Sequence, residues 1–519
     1  MKKKLLSIVM VVVLAMTALF TGCGGGGDDE NVAPEDRVLQ VRTRGSITTL
    51  DWNANTDTHN QQLYNNIYEG LYGMDEAAGE YYDLLAEEVT LSDDNLTYTV
   101  KLREGVKFQN GDEMKASDVV FSYERAMNGA TLLYLTAPID SVEAVDDYTV
   151  DFHLKYAFSP IAHTFFNVKI VSEKEVTEQG DSFGTIPNTA GTGAYYVTDY
   201  DVSTGCTLEA FEDYWGGAPA IKHVEYILIE DQTAAVAAFE NGELDYYDNA
   251  SMPDWDALVE SAGEDNSELV RGNNIMWMGI NYASNDVLGN DLVREAMFYA
   301  INKEDINLAV CDGRGTVTDQ YMPSQYVETS PESGYETYDY NPEKAKELLA
   351  EAGYPDGVDA GTILTGGDST SNNAKMAQVL QANLAEVGIN VEVSTMDISV
   401  VTELWHNQEF DICVFSDSGN YDFNNIRQQV DSESVGMYCI KYKDGPFDWQ
   451  RIEELVDLGA STADVATRLE YYTELWSIVM DTATILPCIN TPVGIVWSKD
   501  LDIGDPVPTY YELRKFSWK

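Results

Sequence analysis

Histidine is scarce in this sequence, and basic side chains are heavily outnumbered: 31 Lys plus Arg stand against 88 Asp plus Glu. A formal charge of −57 at pH 7 repels phosphate backbones and anionic lipid, so nucleic acid is excluded as a partner. The acid implies solubility in an exposed compartment or a bias toward cationic ligands. The five histidines, His59, His153, His163, His223 and His406, make no pair at metal-ligand spacing. His153 shares a strand face with Thr149 and Asp151 and reads as exposed. HExxH and GxSxG are absent, and Gly191-Thr192-Gly193 lacks the rest of a dinucleotide fingerprint. No nucleophile, base and oxyanion site stand in register, so the chain reads as a non-enzyme with no catalytic residues, metal or cofactor. Six cysteines, Cys23, Cys206, Cys311, Cys413, Cys439 and Cys488, form no CxxC and no Cys/His cluster, against a structural zinc. Cys413 and Cys488 lie in apolar runs and are expected as buried thiols. Beyond the N-terminus no stretch is long and apolar enough to span a bilayer.

What is present begins with an address. Lys2, Lys3 and Lys4 precede an apolar run from Leu5 to Phe20, broken only by Ser7 and Thr17. That is the length of a secretion signal and short for a membrane span. Phe20-Thr21-Gly22-Cys23 then resembles the lipobox of bacterial lipoproteins, with Phe20 where the motif usually has Leu. The resemblance implies a signal peptide over 1–22 and a diacylated Cys23 at the new N-terminus. Gly24 to Gly27, followed by Asp28, Asp29 and Glu30, reads as a flexible tether over 23–35. The expected location is the outer face of the cytoplasmic membrane, held by lipid alone. The chain that remains is too long for one core and predicts two or three lobes.

Strand and helix signals alternate, which predicts a mixed α/β protein. Leu96, Tyr98, Val100 and Leu102 alternate with polar residues as a half-buried strand. Asn110-Gly111 marks a turn, and Ser117 is expected to cap a helix carrying Val120, Phe121 and Met127. Asp146-Asp147 divides two alternating runs, a hairpin pattern. Asn341-Pro342 pairs a helix cap with proline at the first turn, and Gly353 ends that helix. Met376, Val379, Leu380, Leu384 and Val387 form the face of a further helix that stops at Gly388, before a strand carrying Ile389, Val391 and Val393.

Five segments in order resemble the family 5 solute-binding proteins of ABC importers, the oligopeptide, dipeptide and nickel-binding type. They are Asn66-Ile67-Tyr68-Glu69-Gly70-Leu71; Leu91 to Phe108 with Asp118 to Tyr123; Gly191 to Tyr195 with Asp213-Tyr214-Trp215-Gly216-Gly217; Val293 to Ala296 with Tyr299 to Lys303; and Asn341 to Lys346 with Gly353-Tyr354-Pro355. Read by themselves these residues are architectural, and Tyr214 and Trp215 are expected to pack rather than bind. The resemblance implies a two-lobed periplasmic-binding-protein-like fold, type II in its large variant. Lobe one would hold 36–275 and 490–519, with an extra subdomain near 60–185, and lobe two 276–489. It also implies capture of a small molecule, a peptide above all, by a monomer that delivers it to an ABC permease. A surface sensor, a chaperone-like binder, or a nickel-, haem- or sugar-binding member is the alternative.

In peptide-binding relatives an Asp pairs with the peptide's α-amine. Alignment on Phe410-Asp411 puts Asn420 at that point, with Tyr421 retained, so the resemblance implies a ligand contact over Asp417, Ser418, Gly419, Asn420, Tyr421 and Asp422. An amide gives a cation less than a carboxylate does, and Asp417 or Asp422 is expected to supply the charge. Ser46, Ile47 and Thr48, Trp277 and Trp405, and Asn490 near the second chain crossing complete the candidate ligand residues.

Overall fold

The computed structural model describes residues 37–519 apart from 325, 326, 328, 368–370, 419–421 and 431–446; the side chains of Asp417 and Ser418 also lie outside the described set. Among the described residues eleven strands form one sheet. Numbered in chain order they are β1 (Val38–Thr43), β2 (Tyr195–Asp201), β3 (Gly205–Ala210), β4 (His223–Leu228), β5 (Tyr246–Ala250), β6 (Ser267–Ile280), β7 (Thr316–Val317), β8 (Val358–Gly366), β9 (Ile389–Met396), β10 (Ile412–Ser418) and β11 (Ile485–Trp497). Their order is β2-β3-β4-β1-β5-β11-β6-β10-β8-β9, with β7 beside β11.

Two large apolar cores hang on this sheet. One gathers Leu39, Val41, Tyr64, Phe152, Phe165 and Tyr195 with Ile495, Trp497, Leu513 and Phe516. The other gathers Trp277, Phe298, Leu380, Trp405, Phe415 and Trp476 with Ile485 to Ile489. Burying each large side chain contributes about 1.5–3 kcal/mol, so each core can hold its own half of the chain together. The fold is therefore α/β and two-lobed.

Among the described strands of this sheet, only β6 and β11 feed both cores. They pair antiparallel twice, at 267–271 with 492–496 and again at 275–279 with 485–490, and the ladder breaks between Arg271 and Ile275. Gly272 sits in the break, where a Cβ would come within 2.5 Å of the Thr491 carbonyl oxygen. Only glycine lets the two backbones approach so closely there.

Local signals explain much of the rest. Asn341 accepts the amide proton of Lys344 and Pro342 opens the helix Pro342–Glu351, as the sequence predicts. The helix Asn372–Glu386 runs directly into β9. The hairpin Ile139–Asp146 with Thr149–Leu154 joins a four-stranded sheet that shares the first core. The helix expected after Ser117 instead begins at Ala116, with Lys115 at its cap. Lysine has no oxygen to accept there; the Asp118 carboxylate reaches back to the Lys115 amide at 2.9 Å. His153 is half-buried, its ring 3.2 Å from the Thr97 hydroxyl.

Two of the sequence motifs meet at Glu69. Its buried carboxylate accepts the Tyr214 hydroxyl at 2.6 Å and the Trp215 indole at 2.8 Å. Burial raises the Glu69 pKa, and those two donors oppose the rise. The aromatic pair thus closes a structural lock.

Candidate ligand site

The break between β6 and β11 is filled by one side chain. Asn490 is 1% exposed and donates both amide protons, to the carbonyls of Gly272 and Asn274, each at 2.8 Å. Its oxygen accepts Nε–H of the half-buried Arg271 at 2.8 Å. Register then places the end of β10. Ser418 pairs with Asn274 and Asp417 with Ile275, so the strand ends beside the crossing.

The aligned residues fall in different settings. Gly419, Asn420 and Tyr421, together with the side chains of Asp417 and Ser418, lie outside the described residues. Asp422 is described, and it is occupied. Its carboxylate pairs with the Arg468 guanidinium, the two side chains being 14% and 7% exposed, and it also accepts the Asn424 amide at 2.8 Å. Arg468 in turn donates to the Gly459 carbonyl at 3.1 Å. Burial works to lower its pKa, but the Asp422 charge outweighs this and the guanidinium is held more firmly protonated.

The earlier strand end is also tied down. Tyr200 donates to the Ile47 carbonyl at 2.8 Å, His59 Nε2 lies 2.9 Å from the Ser46 carbonyl oxygen, and Asn55 donates to the exposed Thr48 hydroxyl at 2.8 Å. This loop follows β1, and Val41 of β1 pairs parallel with Tyr246 of β5. It therefore leaves at the carboxyl end of the sheet, where open α/β sheets place their ligands. Trp277 and Trp405 lie deeper. Both are nearly fully buried, and their rings meet Phe415 edge-on at 5.3 and 4.8 Å.

Sequence reasoning overlooked a wall of aromatic residues where the lobes touch. Ser159 donates its amide to Ala460 at 2.6 Å, and Met74 and Phe166, carried by first-lobe segments, pack within the second core. Phe166 stands edge-on to Tyr510 at 5.3 Å, and Tyr81 lies 2.9 Å from His163 Nδ1. Burial, then the nearby Tyr510 and Asp422, pushes the Tyr81 pKa well up. Burial, then Lys169, lowers that of His163 to about 4. The missed Arg271 and Arg468 had one signal: isolated cations in an acidic chain, the first beside Gly272-Asn273-Asn274.

A family described as bacterial extracellular solute-binding proteins, family 5 (middle), matches residues 80–428. The chain is 32% identical over 400 residues to the glutathione-binding protein GsiB of Shigella dysenteriae, covering 75% of this chain and 73% of that one. In three dimensions it resembles HbpA2 from Haemophilus parasuis, with a TM-score of 0.82 at 24% identity over 93% of this chain and 100% of the other. It also resembles the oligopeptide-binding protein AppA from Bacillus subtilis in complex with a nonapeptide, with a TM-score of 0.74 at 23% identity over 93% and 99%.

Proposed function

The chain belongs to family 5 of the bacterial extracellular solute-binding proteins, and on that footing we propose that it captures a small peptide between its lobes for an ABC importer. Members of this family work outside the cytoplasm as the binding components of such importers, and binding rather than catalysis is their task. A peptide is favoured because the GsiB relatives are named for glutathione, a tripeptide, and a fold neighbour holds a nonapeptide. The observation that supports the reading is the register of Asp417 and Ser418 with Ile275 and Asn274, which ends β10 beside the crossing of β6 and β11.

The lobes divide near residues 275 and 490, in keeping with the sharing of β6 and β11 between the cores. The ligand meets Ser46 to Thr48 on one side and Asp417 to Tyr421 on the other. Asp422 is engaged by Arg468, so the carboxylate for a ligand ammonium is Asp417. Trp277, Trp405 and Asn490 shape the site from beneath, since their side chains are spent on Phe415 and on the crossing. The protein acts as a monomer, tethered to the membrane through a lipid on Cys23.

The test is a thermal-shift titration with glutathione and with mixed di- to pentapeptides. A ligand bound only by the folded form stabilises it by RT ln(1 + [L]/Kd), about 2.7 kcal/mol at a hundredfold excess over Kd. A rise in Tm with peptide is expected. No rise at millimolar peptide, with a rise for a sugar or a metal chelate, overturns the peptide assignment. Cys23→Ala is expected to release the chain or leave an unprocessed precursor; normal processing and membrane retention would refute the anchor.

A further inference from the structure

One cavity lies apart from the crossing. It is an open groove of about 510 Å³ on the second lobe, lined by Ser284, Thr362, Leu364, Ser394, Met396, Leu404 and the run Gln408 to Asp411. It lies where the helix Ile398–His406 passes over β8 on its way from β9 to β10. Asp411 precedes the first residue of β10, and Ser418 at the far end reaches the crossing. At about 3.3 Å per residue the strand sets the carboxylate end of the groove on the order of 20 Å from the candidate ligand site.

Two properties of the groove and of the helix beside it, which carries Ile398 and Val400, stand out. Met396, Ile398 and Val400 are 39%, 51% and 44% exposed, and no other five-residue stretch among the described residues exposes three large apolar side chains. An exposed apolar cluster beside a groove marks an interaction surface more often than chance scatter does. The charge is also one-sided. Glu409 and Asp411 enter the lining, which contains no Lys, Arg or His. Among the described residues Asp411 is satisfied by neutral donors, the Thr362 amide at 3.0 Å and the Asn285 amide group at 3.2 Å.

We infer that this groove is a docking surface for the membrane-embedded import machinery, taking an extracytoplasmic segment that presents an apolar side chain next to a Lys or Arg. The inference rests on the import reading above. Charge complementarity selects the occupant. Uncompensated carboxylates around an apolar slot favour a basic partner, and they repel an anionic lipid surface and a second copy of this strongly acidic chain. The groove stands apart from the crossing, so a partner can hold it without blocking the ligand.

The test is photocrosslinking in intact cells from benzoylphenylalanine placed at Ile398, with Val145 on the four-stranded sheet as an equally exposed control. A crosslink from position 398 to a multispanning permease subunit is expected, with little from position 145. Glu409→Lys should reduce it by roughly fivefold or more. A permease crosslink from position 145 but not from 398 overturns this surface while leaving the import reading intact. A crosslink from 398 to another copy of the chain, or to lipid alone, overturns it too. If neither position nor any site around the ligand cleft crosslinks to a permease, the import reading fails and the docking surface with it.

Discussion

Asn490 accepts the Nε proton of Arg271 at 2.8 Å while its own amide bridges the carbonyls of Gly272 and Asn274. One fully buried side chain therefore satisfies the gap in the ladder that carries the chain between lobes. Buried carbonyls without donors are costly, which is why an apolar residue does not serve there.

Replacing Asn490 with Leu keeps the volume and removes both donors. The variant is expected to lose about 2–4 kcal/mol of stability, the cost of leaving the Gly272 and Asn274 carbonyls without their donors. Urea denaturation of variant and parent checks it. A change within about 0.5 kcal/mol would mean that water takes over the role.

Asp422→Asn strands the Arg468 guanidinium, which is 7% exposed on its side chain. The expected loss is about 3–5 kcal/mol, and Arg468→Met added to it should restore much of that stability. Ligand affinity, measured by calorimetry at a temperature where each variant is folded, should change far less than stability. A large loss of affinity with stability intact would instead place Asp422 in direct contact with the ligand.

His163 gives the protein an acid-sensitive term. Its pKa falls from 6.5 to about 4 through burial and then the Lys169 charge, while Tyr81 and Asn167 contact its ring nitrogens. A base with a depressed pKa binds fewer protons folded than unfolded, so the neutral ring's full contribution is present above pH 6.5 and is lost as pH falls to about 4. His163→Gln keeps a polar partner without the titration. Across that window the parent should lose on the order of 1–3 kcal/mol more than the variant in denaturant melts. Parallel curves would show that His163 does not control this window.

Gly272→Ala drives a methyl to within 2.5 Å of the Thr491 carbonyl oxygen. The strands must part at the crossing, at a cost of about 1–3 kcal/mol. Amide exchange at Gly272 to Ile275 should quicken in the variant before exchange elsewhere does. Uniform exchange would argue that the approach of the two backbones is not under constraint.

Local chemistry was legible in the sequence because its partners lie a few residues apart. Asn341 and Pro342 announced their helix, and alternating Leu96 to Leu102 announced its strand, because cap and pleat are short-range patterns. Ser117 misled because a good capping side chain was visible while the reversed cap from Asp118 to Lys115 was not. The candidate ligand region could be marked only as a stretch of chain. Nothing near Asp422 shows that Arg468, 46 residues later, takes its charge, and nothing near Asn490 points to Arg271, 219 residues earlier. Sequence periodicity also cannot reveal that two long strands are shared by both cores, because that pairing carries no local mark.

The return of β11 to the first core orders events in time. The second core is built chiefly from one continuous stretch of chain, whereas the first needs Ile495, Trp497, Leu513 and Phe516 from the very end. A chain threaded across a membrane N-terminus first presents Leu39 and Val41 early, yet Ile495, Trp497, Leu513 and Phe516 of the same core emerge far later. The earlier half must wait as an incomplete apolar surface, at risk of aggregation and proteolysis, until those residues arrive. Truncation near the C-terminus would therefore damage the half of the molecule that was made first.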